Sequence, residues 1–171
     1  MKIDLTAKLK SFEDFLATYK DGDQKYLYDG KNLLFFSLSN TNLNDRYKIS
    51  EFLVKTSIDA RGTNRDGQNV FHVLLGQNKN TIPEITRLCK AFITKNVNIN
   101  EKDKNGQMPL QYIARMYNTD EELEELYNLW FLQENLDVTS KDNWGCTPLE
   151  FVKKFPYRSE LVKRIEKYGE K

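Results

Sequence analysis

Residues 97–114 read VNINEKDKNGQMPLQYIA, and this stretch joins a polar turn directly to an apolar helix start. The turn centres on Gly106, which tolerates the positive φ that a tight turn needs. Pro109 suits the first turn of a helix, and Leu110 and Ile113 then supply an apolar face. Because a helix this short cannot bury its apolar face alone, the stretch predicts packing against neighbouring units of the same kind.

The same pattern recurs along the chain at a nearly fixed period. Four glycines mark it at intervals of 37, 39 and 39 residues: Gly30, Gly67, Gly106 and Gly145. Each is followed by polar or turn-forming residues and then by an apolar cluster, as in GQNVFHVLL and GCTPLEFVK. Thr147 is placed to cap the helix after the last of these turns. Self-similarity at a period between about 20 and 50 residues predicts an array of stacked units.

A second helix follows a polar loop in each unit. In the second unit, apolar residues at helical spacing predict this helix over residues 83–95. In the third unit it begins at Thr119, which forms a capping box with Glu122, and Trp130 lies in its buried stripe. Each unit is therefore predicted to be a helix-turn-helix.

These turn sequences resemble the ankyrin repeat, whose pattern is roughly V-N-x-x-D-x-x-G-x-T-P-L-H-x-A. Residues 99–114 (INEKDKNGQMPLQYIA) and 138–152 (VTSKDNWGCTPLEFV) match it well, NRDGQNVFHVL at 64–74 matches fairly, and the unit around Gly30 matches poorly. The resemblance implies an all-α, ankyrin-like helical solenoid of about four stacked helix-turn-helix repeats with helical caps. It also implies that His72 ties adjacent turns together by hydrogen bonds.

The chain departs from the family in length. Its period exceeds the family's period of about 33 residues, mainly in the loops between the two helices of each unit, and Gly62–Thr63 is a further insertion. We therefore expect an irregular array within one domain over 1–171. An N-terminal cap helix lies in 1–22, and the repeats cover about 27–61, 62–99, 100–138 and 139–171. The cap is predicted over 5–19 with an inward set of Leu9, Phe12, Phe15, Leu16 and Tyr19.

Composition limits where the protein acts. The charged fraction of 30%, the hydrophobic fraction of 39% and the net charge of +1 are typical of a soluble globular protein. No apolar run suits a membrane span or a signal peptide. Cys89 and Cys146 form no C-x-x-C pair, which favours a reduced, cytoplasmic location. The 19 Lys against 7 Arg, with 16 Asn, favour an AT-rich, bacterial coding source.

The sequence contains no pattern typical of an enzyme. His72 is the one histidine, so with two distant cysteines no metal site of ordinary ligand spacing can be formed. No nucleophile-elbow, P-loop or dinucleotide-binding motif is present. We therefore expect no catalytic residues, no metal, no cofactor and no small-molecule substrate.

Charge is unevenly distributed along the chain. Residues 101–150 hold 4 basic against 11 acidic side chains, whereas residues 151–171 hold 7 against 3. Two interpretations of the acidic run at 120–125 remain open. Acids favour a helix N-terminus and keep the array soluble, or they attract a basic partner. Nucleic acid is not expected, because the excess of 7 basic over 3 acidic side chains at the C-terminus is small.

In the ankyrin arrangement, the turn tips and the exposed side of the first helices form a partner-binding surface. Trp144 occupies a tip, and Trp tends to anchor interfaces, although it could instead fold back onto a neighbouring turn. The candidate partner-binding residues, including the acidic run, are Tyr28, Arg65, Lys104, Gln107, Arg115, Met116, Tyr117, Asp120, Glu121, Glu124, Trp144 and Phe155.

The resemblance implies a protein–protein interaction module. The size, the bacterial composition and the segregated charge favour an immunity protein, a monomer that binds and sterically neutralises a basic toxin such as a nuclease. The alternatives are an adaptor or effector that binds a host protein, and a regulatory subunit or assembly scaffold.

Overall fold

The computed structural model describes residues 1–171 and contains ten α-helices and no strands, so the predicted all-α class is confirmed. The helices are α1 (Ile3–Leu9), α2 (Phe12–Thr18), α3 (Leu33–Ser37), α4 (Leu43–Val54), α5 (Val70–Leu75), α6 (Ile82–Thr94), α7 (Pro109–Ala114), α8 (Glu124–Phe131), α9 (Pro148–Val152) and α10 (Ser159–Gly169). A short 3-10 helix at Asp23–Lys25 separates α2 from α3. None of the ten helices combines the length and the apolar character needed to span a membrane.

The helices lie in two layers. In the first-helix layer, α1 packs on α3, α3 on α5, α5 on α7, and α7 on α9. In the second-helix layer, α2 packs on α4, α4 on α6, α6 on α8, and α8 on α10. Contacts of α3 with α4, α5 with α6 and α9 with α10 join the layers. Most helices therefore pack both on a counterpart in a neighbouring unit and on the other helix of their own unit, as expected for short helices that cannot bury their apolar faces alone.

A continuous hydrophobic core fills the space between the layers. Phe71 of α5 lies at its centre, with its ring centroid 5.6 Å from that of Phe92 and 5.2 Å from that of Trp130, both edge to face. Such aromatic pairs add about 0.5–1.5 kcal/mol beyond the burial of their area. Trp130 is fully buried, as the sequence predicts.

The glycine turns stack on one another along one edge of the layers. Lys104 N–H donates to the Asp66 carbonyl at 2.7 Å, and Asn143 N–H donates to the Asn105 carbonyl at 3.0 Å. The first turn has no such backbone bond to the second, and an exposed ion pair between Asp29 and Arg65 joins them at 2.8 Å. The stacking is therefore closest between the last three turns.

The N-terminal segment differs from the prediction. The single helix expected over 5–19 is two helices, because Lys10 is extended and the Ser11 side chain caps α2 by accepting from Asp14 N–H at 3.1 Å. The break changes which residues face inward. Phe15 is fully buried as predicted, whereas Leu9 and Leu16 are exposed. The inward-facing set was predicted for one continuous helix, so it could not include the change of chain direction between α1 and α2.

Two buried arginines hold the long loops between helices. Arg46 Nε donates to the Asn40 carbonyl at 2.9 Å, and its Nη1 donates to the Lys79 carbonyl at 2.7 Å. Arg158 is likewise buried, and it binds the backbone carbonyl of Ala114 at the end of α7 and those of Met116 and Asn118 in the loop that follows. The loops that exceed the family's length are therefore fixed in place by hydrogen bonds from guanidinium groups.

Candidate functional site

Two adjoining hollows, of about 290 and 300 Å³, lie on the first-helix layer and together form what we call the first-helix groove. They share Gly76, Gln77 and Tyr112, and no residue of helices α4, α6, α8 or α10 lines them. The other lining residues are Lys8, Lys31, Phe35, Phe36, Ser39, Asn64, Gln68, His72, Val73, Leu75, Asn78, Arg115, Met116 and Tyr117. The groove therefore follows the exposed side of the first helices.

Tyr112 lies at the centre of the groove. Its hydroxyl donates to Asp103 Oδ2 at 2.7 Å and accepts from Gln68 Nε2 at 3.0 Å. The Arg115 guanidinium lies 4.8 Å from the ring centroid, a cation–π distance. Burial, followed by the hydrogen bond to Asp103, raises the pKa of Tyr112 to about 12, so the phenol stays neutral and can donate at neutral pH. The ring is therefore fixed by its neighbours before any partner arrives.

His72 is fully buried beneath the groove and joins α5 to the third turn. Its Nε2 lies 3.0 Å from the Gln107 carbonyl, which can only accept, so Nε2 carries the proton. Nδ1 then accepts from Asn69 N–H at 3.1 Å. The bond to Gln107 ties adjacent units together, as the resemblance implied, and the bond from Asn69 stays within one unit. Burial lowers the pKa of His72, which keeps the imidazole neutral.

We expect acid to destabilise the wild-type protein more steeply than the His72→Gln variant between about pH 6.5 and pH 5. Because the pKa of His72 is lower in the folded state than the unfolded value of about 6.5, the unfolded chain binds more protons in this range, and acidification favours unfolding. The extra slope is at most about 1.4 kcal/mol per pH unit. Urea unfolding at several pH values measures it, and parallel profiles would contradict the assignment.

An aromatic run continues the surface beyond the groove. Arg115 lies 5.2 Å from the Phe151 ring centroid, and the Phe151 and Phe155 centroids are 5.4 Å apart. Phe155 in turn contacts the exposed Tyr157, at 5.9 Å between centroids. Tyr117 is 88% exposed, and its hydroxyl has no hydrogen-bond partner within the protein. At this end of the first-helix layer, Tyr117 and Tyr157 thus present aromatic surface to solvent, whereas Phe151 lies buried in the core.

Most of the residues predicted to bind a partner are accessible. Trp144 is 66% exposed, so its side chain faces solvent rather than folding back onto a neighbouring turn. Of the other predicted residues, Arg65, Lys104, Arg115, Tyr117, Glu121 and Glu124 are exposed, whereas Tyr28, Asp120 and Phe155 are half-buried. Three of them, Arg115, Met116 and Tyr117, line the groove itself.

The structure corrects the prediction that Gln107 and Met116 bind a partner, because each residue is only 6% exposed. The Gln107 backbone carbonyl accepts a hydrogen bond from His72, and the Gln107 side chain accepts one from Arg115. Met116 joins the hydrophobic core, and its carbonyl binds Arg158. Both were assigned to the surface from their position after a turn or at a helix end, where internal bonds cannot be inferred from the pattern.

The structure also corrects the assignment of Asp120, in the acidic run, to the partner-binding surface. Its carboxylate accepts from the Tyr127 hydroxyl at 2.6 Å, from Glu160 N–H at 2.9 Å and from the Arg158 guanidinium at 3.4 Å. Glu124 remains exposed, although the Arg164 guanidinium lies 3.8 Å from it. Part of the acidic run therefore stabilises the fold. The sequence pattern missed Arg158, whose role depends on distant backbone carbonyls.

Titratable groups are dispersed over the rest of the molecule. No group of three or more His, Cys, Asp or Glu side chains is placed to hold a metal ion. Cys89 and Cys146 are both free, and burial raises the pKa of the Cys89 thiol. A separate hollow of about 400 Å³ between α8 and α10 is lined by Phe131, Glu160, Lys163, Arg164, Lys167, Tyr168 and Lys171.

Comparison with known proteins identifies a similar solved structure. No family model matches the chain, and no curated protein matches it. A solved structure described as that of a functionally unknown protein from Leptotrichia buccalis C-1013-b is similar, with a TM-score of 0.85 and 30% sequence identity. The match covers 99% of this chain and 93% of that one. The chain therefore belongs to the same family as this Leptotrichia buccalis protein.

Proposed function

We propose that the chain is an ankyrin-like solenoid that binds another protein through the first-helix groove and neutralises it sterically. The two helical layers and the stacked glycine turns support the solenoid arrangement. Because the turns are joined by hydrogen bonds and the loops are held by Arg46 and Arg158, the surface is fixed in advance. Little ordering entropy is then lost when a partner binds.

The observation that carries the proposal is the exposed aromatic surface around Arg115. Tyr117 and Tyr157 are exposed, and Arg115 lies between the Tyr112 and Phe151 rings. Tyr, Trp and Arg are enriched among the residues that dominate binding energy. Trp144, at the fourth turn, adds a further exposed anchor.

We further propose an immunity role, in which a monomer in the cytoplasm covers the functional surface of a toxin. The two unpaired thiols support a reduced compartment. The basic toxin expected from the sequence would need the acidic run, and the internal bonds of Asp120 reduce the charge available there. We therefore assign the contact surface to the groove and its aromatic extension.

A pull-down from an extract of the source cells tests the proposal. We expect wild-type bait to retain a partner protein that Tyr117→Ala and Trp144→Ala bind at least tenfold more weakly, as for interface anchors. Leu132→Ala is the matched control, because Leu132 is an exposed apolar residue at the end of α8 in the other layer. Glu121→Lys/Glu124→Lys is a third bait, and loss of the partner there alone would place the contact on the acidic run.

The activity of the captured partner tests neutralisation separately from binding. We expect the purified partner to lose its activity when it is saturated with the wild-type chain. Failure to enrich any partner over an unrelated bait would overturn the binding proposal. A partner that stays fully active in the complex would overturn neutralisation alone and favour an adaptor or a scaffold.

A further inference from the structure

The charge of the first-helix groove is of one sign. Lys8, Lys31 and Arg115 line its two hollows, and no Asp or Glu side chain lines either of them. Lys154 continues the row beyond Arg115, with its ammonium 5.8 Å from the centroid of the Phe151 ring. The whole chain carries only +1, so the positive groove reflects local placement rather than overall composition.

These cations are available to a partner. Lys8, Arg115 and Lys154 form no ion pair within the protein. Lys31 has one carboxylate nearby, Asp29 at 3.8 Å, and that pair is solvent-exposed and therefore weak. A ligand that places carboxylates in the groove would therefore have to break at most the Lys31–Asp29 pair.

Asp103, the acidic residue that contacts Tyr112 of the groove, is already occupied by hydrogen bonds. Asp103 is buried, and it accepts from the Tyr112 hydroxyl at 2.7 Å and from the backbone N–H groups of Asn105 and Gln107 at 2.8 and 2.9 Å. The acidic run at 120–125 lies in the turn before α8 and in the first two residues of that helix, which belongs to the opposite layer. The first-helix groove therefore presents free cations and has no lining carboxylate of its own.

The cations lie beside aromatic rings, and their small number suits a polypeptide rather than a nucleic acid. Lys31 lies 4.9 Å from the Phe36 ring centroid, and Arg115 lies over Tyr112. Between them the groove presents the apolar Val73 and the amide of Gln77. Tight nucleic-acid binding requires many neutralised phosphates, whereas four spaced cations with apolar and amide surface between them fit alternating acidic and apolar side chains.

We propose that the first-helix groove binds an extended acidic segment of the partner protein, bearing carboxylates and apolar side chains in alternation. The inference rests on the proposed protein-binding function and names the chemistry of its partner. From α3 to α9 the layer spans three helix spacings, about 24–30 Å at 8–10 Å each. An extended peptide of about nine residues covers this distance.

Selection from a phage-displayed library of random 12-residue peptides, with the full chain as bait, tests this inference. We expect the selected peptides to contain more Asp and Glu than Lys and Arg. A selected peptide, made synthetically with a fluorescent label, should bind the Lys31→Glu/Arg115→Glu variant at least tenfold more weakly than wild type. Raising the salt from about 50 mM to about 500 mM should also weaken its binding, because exposed charges are screened.

Lys163→Glu/Lys167→Glu is the matched control, because it makes the same change of charge in the hollow between α8 and α10. We expect it to bind the acidic peptide as wild type does. Equal losses in both double variants, selection of neutral or basic peptides, or failure to select any peptide would each overturn the inference. Tighter binding of a 12-nucleotide oligo-dT than of the peptide would overturn it as well.

The two proposals fail in different ways. If a partner captured from the extract binds Lys31→Glu/Arg115→Glu as tightly as wild type, the acidic-segment inference is overturned while protein binding stands. If the extract yields no partner, the proposed function itself is overturned.

Discussion

Replacing Arg158 with methionine is expected to lower the free energy of unfolding by about 3–5 kcal/mol, the range found when one member of a buried ion pair is removed. The Arg158 side chain is fully buried and pairs with Asp120 at 3.4 Å. It also donates from Nε to the Ala114 carbonyl at 2.9 Å and from Nη1 to the Asn118 carbonyl at 2.8 Å, and it binds the Met116 carbonyl. Methionine fills similar space but donates no hydrogen bond, so buried acceptors lose their donors.

Arg164→Met provides the control for this experiment. Arg164 lies on α10 and contacts Glu160 at 3.1 Å and Asn128 at 2.6 Å, but its side chain is partly exposed and water can replace these bonds. We expect this substitution to cost at most about 1 kcal/mol. Urea unfolding gives both values, and hydrogen exchange should show that the loss in Arg158→Met is concentrated between α7 and α10. Equal losses in the two variants would contradict the structural role assigned to the buried Arg158 side chain.

Features determined by nearby residues could be predicted from the sequence. The helix predicted over 83–95 is α6, with Pro83 in its first turn. Thr147 caps α9 as expected, and Thr119 and Glu122 form the predicted capping box. The helix after that box nevertheless begins only at Glu124. Turns, helix caps and apolar spacing depend on residues within about ten positions of one another, so a local sequence pattern is enough to predict them.

Features that depend on distant partners were missed. The 16 asparagines suggest a coding bias, yet several of them join segments that lie far apart in the sequence. Asn32 Nδ2 donates to the Asp59 carbonyl at 2.9 Å, and Asn69 Nδ2 donates to the Asn98 carbonyl at 2.7 Å. Asn40 Nδ2 donates to the carbonyls of Ala7 and Lys10. The acceptors are about 30 residues away, so no local pattern reveals them.

The candidate site was found in part, for a similar reason. Exposure at a turn tip or a helix end follows from position in a repeat, which is how Trp144 and Tyr117 were predicted. The sign of the groove's charge depends on which side chains are left unpaired after folding. The sequence draws attention to the acidic run. Only the structure shows that Asp120 and Asp103 are bound to tyrosine hydroxyls within the protein and are therefore not free to bind a partner.

Replacing Gly106 with alanine is expected to cost about 2–5 kcal/mol of stability, from two separate sources. Gly106 has a φ of +73°, and an L-residue pays roughly 1–2 kcal/mol for the left-handed region. A Cβ there would also lie 2.7 Å from Asn143 Oδ1 and 3.0 Å from Asn143 N, closer than packed atoms approach. Forcing an extra methyl group into a packed site adds about 1–3 kcal/mol.

Asn143 cannot easily move away from that methyl group. Its N–H donates to the Asn105 carbonyl at 3.0 Å, and its side-chain amide donates to the Lys104 carbonyl at 2.8 Å. Relief of the clash therefore breaks a bond between the third and fourth turns.

Gly145→Ala separates the two sources, because Gly145 has a φ of +80° and nothing lies within 4 Å of its Cβ position. We expect that variant to lose only the conformational part, roughly 1–2 kcal/mol. Urea unfolding of both variants measures the difference, and hydrogen exchange at the Asn143 amide reports on the bond between turns. If the two alanine variants lost equal stability and the Asn143 amide stayed protected, close stacking of the turns would not contribute to the stability of this fold. Since the groove is built on helices that follow these turns, a larger loss at Gly106 would show that turn stacking also holds the binding surface in place.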